Sequence, residues 1–164
     1  MQRPWRPAIT VRSSIALALC AAFPAQACWD AAAQRYQLSS ALLYAIARTE
    51  SGLNPLAIGR NGNGSRDIGL MQINSAWLPT LASHGIDERD LFEPCTNIEV
   101  GAWILAGNVS RLGYTWDAVG AYNAQNPALR RAYANKVRRH QAATLPTLAH
   151  PAVRAPGISV GSVR

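Results

Sequence analysis

The chain has 164 residues, enough for one domain with a real hydrophobic core. Sixteen Lys and Arg against nine Asp and Glu give a net charge of +7. That surplus suits a polyanionic partner, but no nucleic-acid reader motif accompanies it, so nucleic acid is not an expected target.

The first 27 residues read as a removable targeting segment. Arg3, Arg6 and Arg12 make a basic start, residues 15–23 a short apolar run, and Ala25-Gln26-Ala27 an A-x-A cleavage site. This pattern predicts a secretory signal, a periplasmic location and a mature chain starting at Cys28. The apolar run is too short to stay behind as a permanent membrane anchor. Its loss removes three Arg from 16 basic residues and leaves 13 against 9 acidic ones. Arg130, Arg131, Lys136, Arg138 and Arg139 supply much of that mild excess. Cys20 leaves with the signal, and the two remaining cysteines, Cys28 and Cys95, are expected to pair in an oxidising compartment. The bridge would close about 67 residues and stabilise by roughly 3 to 4.5 kcal/mol in the chain-entropy account. His84, His140 and His150 show no ligand spacing, so neither a metal nor another cofactor is expected.

Residues 29–36 predict a short helix, and Ser39 or Ser40 then caps a second one over residues 41–51. Leu42, Leu43, Ile46 and Ala47 form its apolar stripe, and Glu50 falls on that stripe four positions after Ile46. Ser51, Gly52 and Pro55 end the helix. A carboxylate in the last turn of a core-facing helix is disfavoured as an anion, by burial and by the negative end of the helix dipole. Both effects raise its pKa toward the range of a general acid.

Next come Asn61-Gly62 and Asn63-Gly64, turn pairs that predict a small β-hairpin. Asp67 returns on its far side. A helix-end acid, a hairpin and a returning acid can put two carboxylates on opposite walls of one cleft, as glycoside hydrolysis commonly uses. The segment G-L-M-Q-I-N at residues 69–74 is expected to feed a helix over about residues 76–83 that stops at Gly85. Residues 87–92 form a helical turn ended before Pro94. Thr96-Asn97-Ile98-Glu99 reads as a capping box for a helix carrying Ile98, Ala102, Leu105, Val109 and Leu112, and Gly113 ends it. Thr115 caps a helix over residues 116–124 with Asp117 in its first turn. Pro127 opens a basic helix to about Gln141. Residues 142–164 contain Pro146, Pro151 and Pro156, lack apolar periodicity, and are expected to form a flexible tail.

Three blocks carry a family resemblance: E-S-G-L-N-P at residues 50–55, G-L-M-Q-I-N at 69–74 and A-Y-N-A at 121–124. In this order they resemble the signature blocks of the soluble lytic transglycosylases, over about residues 28–139. C-W-D at 28–30 and D-L-F-E-P-C-T-N-I at 90–98 resemble the small exported members associated with type III secretion, invasion and pilus systems. They further support pairing Cys28 with Cys95. The resemblance implies a mainly α, lysozyme-like α+β fold with a small hairpin beside the active-site cleft. It also implies cleavage of the β-1,4 bond between N-acetylmuramic acid and N-acetylglucosamine in peptidoglycan strands. By the same resemblance Glu50 is the catalytic acid, Ser51 supports it, and Gln72, Asn74, Tyr122 and Asn123 line the glycan cleft. Amides and a phenol suit N-acetyl groups and hydroxyls. Met71 is expected only to pack.

Two departures stand out. The third block usually ends in Gly, whereas Ala124-Gln125 stands here. The segment beginning at Asp67 also resembles the second-carboxylate segment of animal-type lysozymes. Two reactions therefore stay open: anhydro-sugar formation by Glu50, which the family favours, and hydrolysis by Glu50 with Asp67. A non-catalytic glycan-binding assembly protein would be marked by loss of the acid, and Glu50 is present. Partners implied are glycan strands and components of a secretion or pilus apparatus.

Overall fold

A computed structural model describes residues 24–144. Residues 1–23 of the expected signal segment and residues 145–164 of the expected tail lie outside the described residues. The central element is α2, Ser40–Ser51. Ser39 starts it from an extended backbone, its hydroxyl accepting the Leu42 N–H at 3.3 Å. Gly52 ends it in the left-handed region at φ 64°, where its N–H reaches the Ala47 carbonyl. Leu42, Leu43, Ala45, Ile46 and Ala47 are buried, so the expected apolar stripe is the middle of the core. Helices α1 (Pro24–Tyr36), α4 (Pro94–Leu112) and α6 (Pro127–Thr144) pack around it.

The hairpin forms where the Asn-Gly pairs place it. Strand β1 (Ile58–Arg60) runs antiparallel to β2 (Arg66–Ile68), with Ile58 opposite Ile68. A third strand, β3 (Ile73–Asn74), pairs with β2 and sets Asn74 opposite Asp67. The sequence does not announce β3, because two residues show no alternation. Instead of running directly into a helix, the chain passes from β3 through a 3-10 turn (Ser75–Trp77) into α3 (Leu78–Ala82). Both guanidinium contacts of Arg66 go to Glu88, at 2.6 and 2.7 Å, and tie β2 to the segment before the Asp90–Phe92 turn.

The capping box expected at Thr96 is not what starts α4. The helix begins at Pro94, with Glu93 at the cap position and no side-chain cap bond. A proline at the first position has the right φ and lacks only an N–H that would have no helical acceptor. Asn97 thereby falls inside the helix and is fully buried. Its amide donates to the Ile68 carbonyl at 2.9 Å and the Leu91 carbonyl at 2.7 Å, and its oxygen accepts from Met71 N at 2.7 Å. One side chain thus laces β2, the following loop and the Asp90–Phe92 turn to α4. Gly69 (φ 75°) passes so close that a Cβ there would lie 2.3 Å from the Asn97 amide nitrogen. Met71 packs, as expected, against Gly101 of α4, where a Cβ would meet its sulfur at 2.4 Å. Of the apolar residues expected along α4, Ile98, Ala102 and Leu105 are buried, while Leu112 is 36% exposed.

Thr115 caps α5 (Trp116–Gly120) by accepting from Ala118 N at 3.2 Å. This helix is shorter than the expected 116–124, because Gly120 abuts α6: a Cβ there would sit 2.5 Å from the Arg130 carbonyl oxygen. Residues 121–124 turn instead of continuing the helix, and Arg130 bonds the Ala124 carbonyl and Asp117, each at 3.0 Å. Helix α6 runs beyond Gln141 to Thr144, so residues 142–144 are helical and not part of a tail. The disulfide between Cys28 and Cys95, with Cα atoms 5.3 Å apart, joins α1 to the start of α4.

Replacing Asn97 by Ala would strand two carbonyls and the Met71 N–H in the core. Stability should fall by about 3 kcal/mol or more, read as a lower midpoint in urea with an unchanged slope. A midpoint shift worth less than about 1 kcal/mol would show that the three bonds are dispensable.

Candidate active site

Because α2 ends where the β-sheet begins, Glu50 in its last turn borders a cavity of about 500 Å³. The sheet side of that cavity presents Asn61, Ser65, Asp67, Gln72 and Asn74. Tyr122 and Asn123, in the turn after α5, line it as well, and Trp77 and Ile104 contribute apolar surface. Almost every lining group is an amide, a hydroxyl, a carboxylate or an aromatic ring. That set suits a long polyhydroxylated ligand bearing amides.

Glu50 is half-buried, and burial raises its pKa from 4.5 to about 7. The Tyr133 hydroxyl donates to its Oε1 at 2.5 Å and pulls the pKa back down by favouring the anion. The Asp67 charge pushes it up, and the Lys136 ammonium lowers it. Desolvation prevails, so a large fraction of this carboxyl is protonated near neutrality. Tyr133 itself lies well above the usual tyrosine range, through burial first and then the charge and hydrogen bond of Glu50. It therefore remains a donor.

Asp67 is held by two amides. Asn61 donates to its Oδ2 at 2.9 Å and Asn74 to its Oδ1 at 2.7 Å. Asn74 also accepts from Ala76 N at 2.9 Å, so it both orients Asp67 and starts the 3-10 turn. Gln72 takes a left-handed φ of 50° and donates to the Gly69 carbonyl at 2.8 Å, which leaves its amide oxygen toward Gly59. The Tyr122 hydroxyl donates to the Met71 carbonyl at 3.0 Å. Burial, with the charges of Glu50 and Asp67, raises its pKa well above 10. Asn123 is exposed at the rim.

The structure thus brings Glu50, Asp67, Gln72, Asn74, Tyr122 and Asn123 to one cavity. Ser51 is not among the lining residues. Its hydroxyl donates to the Leu70 carbonyl at 2.6 Å and accepts from Asn54 N at 3.0 Å, fastening the end of α2 to the loop before β3. Sequence reasoning missed Tyr133 and Asn61. Tyr133 carries no motif, but it shares an apolar face of α6 with Val137, a signal that this tyrosine points toward the core. Asn61 was read only as turn chemistry. Among the described residues, no group of three His, Cys, Asp or Glu could hold a metal ion, and no helix is long and apolar enough to cross a membrane.

Tyr133→Phe removes the hydroxyl that favours the Glu50 anion, so the Glu50 midpoint should move above about 7. The raised pKa also sets a sign for stability. The contribution of this group is full below its unfolded pKa near 4.5 and is lost as pH rises through about 7. Carbon-13 titration of the labelled Glu50 carboxyl reads the midpoint directly; a downward shift in Tyr133→Phe would contradict the assigned role.

The transglycosylase SLT domain model matches residues 27–144. Invasion protein IagB of Salmonella typhimurium is 46% identical over 115 residues, covering 67% of this chain and 72% of that protein. Protein IpgF of Shigella sonnei is 45% identical over 98 residues, 59% of this chain and 64% of that one. A putative peptidoglycan-binding-like protein of Escherichia coli K12 is 40% identical over 126 residues, 70% of this chain and 80% of that one. Among solved structures, an inactive glutamate-to-glutamine mutant of the lytic transglycosylase Slt from Pseudomonas aeruginosa matches with a TM-score of 0.57 and 24% identity. That match covers 71% of this chain but only 23% of the other, and it shows a shared fold. A family model spanning the described domain, together with relatives this similar, places the chain in the transglycosylase SLT family, as a peptidoglycan lytic transglycosylase of lysozyme-like fold.

Proposed function

We propose that the protein cleaves the β-1,4 bond between N-acetylmuramic acid and N-acetylglucosamine and releases a 1,6-anhydromuramic end. The observation that carries this reading is Glu50: a half-buried carboxyl with a pKa of about 7, clasped by Tyr133 at the border of an amide-lined cavity. Glu50 gives its proton to the glycosidic oxygen, the C1–O bond breaks, and the bonding pair leaves with the departing sugar. The positive charge left at C1 is met by the N-acetyl carbonyl of the same muramyl residue. Glu50, now anionic, takes the proton of the muramic 6-hydroxyl as that oxygen bonds to C1. No water is consumed. Gln72, Asn74, Tyr122 and Asn123 line the cavity and bind the glycan.

A second reading has its own support. Asp67 is an oriented carboxylate on the same cavity, held by Asn61 and Asn74. Such a group can stabilise the oxocarbenium charge and lead to hydrolysis by Glu50 and Asp67 together. In either case residues 1–27 direct export to the periplasm and residues 28–141, extended by the helical residues 142–144, form the working domain. The remainder of the expected tail lies outside the described residues. The activity makes local room in the wall for a secretion or pilus apparatus, a reading supported by the similarity to an invasion protein.

Mass spectrometry of fragments released by the mature protein separates the two readings. The anhydro product is lighter by one water than the hydrolytic one. Glu50→Gln should keep the fold while cleavage falls by at least about a thousandfold; near-normal cleavage would remove Glu50 from the mechanism. Asp67→Asn should slow cleavage at least about tenfold, roughly 1.4 kcal/mol of transition-state stabilisation. Because the Asp67 charge helps keep Glu50 protonated, its loss should also move the pH profile to lower pH. Full activity with an unmoved profile would reduce Asp67 to a turn residue.

A further inference from the structure

Glu50 borders two recesses, not one. Beside the larger cavity, a second of about 210 Å³ opens between the end of α2 and α6, and Glu50 and Asn123 line both. Its other walls include Leu129, Tyr133 and Lys136, which α6 places on one face at steps of four and three residues. Leu129 is 59% exposed, unusual for so large an apolar side chain, and Lys136 is exposed as well. Lys136 takes part in none of the ion pairs found among the described residues. The two recesses differ in chemistry. The larger is rich in amides and hydroxyls, whereas the smaller sets an apolar wall beside an ammonium.

A polymer cut at Glu50 must lie on both sides of that residue, and next to the cut stands a muramyl sugar. Unlike N-acetylglucosamine, this sugar carries a 3-O-lactyl branch: a methyl group and a carboxyl, either free or extended by a stem peptide that has carboxylates of its own. A short branch with a methyl and an anion matches the smaller recess better than a sugar ring does. We infer that the recess over α6 receives the lactyl branch of the muramyl residue and that Lys136 pairs with a carboxylate carried on that branch. Lys136 is thereby a specificity-determining residue that favours muramyl glycan over its uncharged counterpart. This inference rests on the reading of Glu50 as the acid of a muramyl-glycan-cleaving enzyme.

An exposed pair contributes little, so the expected preference is modest, about fivefold in KM. Lys136 also lowers the Glu50 pKa, and removing it would change rates on every substrate alike. The informative quantity is therefore a ratio of KM values between substrates. Three soluble glycans serve with the mature chain: strands bearing stem peptides, strands freed of stems by an amidase, and stem-free strands whose lactyl carboxyl has been converted to an amide. The wild-type protein should show about fivefold higher KM on the amidated strands than on carboxylate-bearing ones. Lys136→Met should abolish that ratio, and Lys136→Arg should retain it. A preference for the stem-free carboxylate strands alone assigns the lactyl carboxylate itself, and a preference for stem-bearing strands alone assigns a carboxylate of the peptide. A preference for both shows that Lys136 pairs with either. If wild type cleaves all three with equal KM, or if Lys136→Met keeps the wild-type ratio, the inference is overturned and the functional reading stands. If wild type cleaves none of them, both fall.

Discussion

A carboxyl group held partly out of water at the end of α2 is the constraint on which the rest of the site depends. Burial raises the proton affinity of Glu50, and an acid that never ionises cannot act a second time as a base. Tyr133 counters this from α6 by donating a hydrogen bond to the anion, while Asp67 acts in the opposite sense from the sheet. The outcome, a pKa of about 7, is a balance among three elements distant in sequence. Helix α6 is thus more than a cover for the core: its Tyr133 sets the proton affinity of the group that the proposed mechanism uses twice.

The sheet is very small for what it positions. Its strands are three, three and two residues long, too short to be stable alone. Their stability comes from outside. Asn97 of α4 satisfies backbone groups at Ile68 and Met71, Ser51 of α2 bonds the Leu70 carbonyl, and Tyr122 bonds the Met71 carbonyl. The loop at residues 68–71 is therefore gripped by two helices, α4 and α2, and by the turn after α5. Because Asp67 and Gln72 flank this loop, their placement follows from the grip and not from the strands.

The same economy explains the disulfide. Helix α4 supplies Asn97, and Cys95 near its start is bonded to Cys28 on α1. The covalent link holds α1 on the helix that organises the sheet and that also lends Ile104 to the cavity, while α6 lines the smaller recess beside Glu50. Basic residues of α6 are divided in the same way. Arg130 pairs with Asp117 and steadies the turn that carries Tyr122 and Asn123, and Arg138 stacks on Trp116 at 4.4 Å. Lys136 faces the smaller recess at Glu50.

Much of this was legible in the amino-acid sequence because the relevant signals are local. The Ser39 cap, the stripe Leu42–Leu43–Ile46–Ala47 and the stop at Gly52 define α2 and put Glu50 in its last turn, since helical periodicity alone fixes a residue's face. The Asn-Gly pairs mark the hairpin because Gly64 takes the positive φ of its turn and the Asn61 and Asn63 side chains close the loop onto Ser65. What only the tertiary structure decided is what depends on contacts between distant segments. Pro94 is a local start signal for α4, but nothing near Thr96 reveals that Asn97 turns inward, because the partners of Asn97 lie on β2, its loop and the preceding turn. Strand β3 exists only because β2 offers it a neighbour. Tyr133 becomes the partner of Glu50 only when α6 packs on α2, and Ser51 is drawn away from the cavity by the Leu70 carbonyl. Hydrogen-bonding capacity is written in each side chain, but the choice of partner is made by packing.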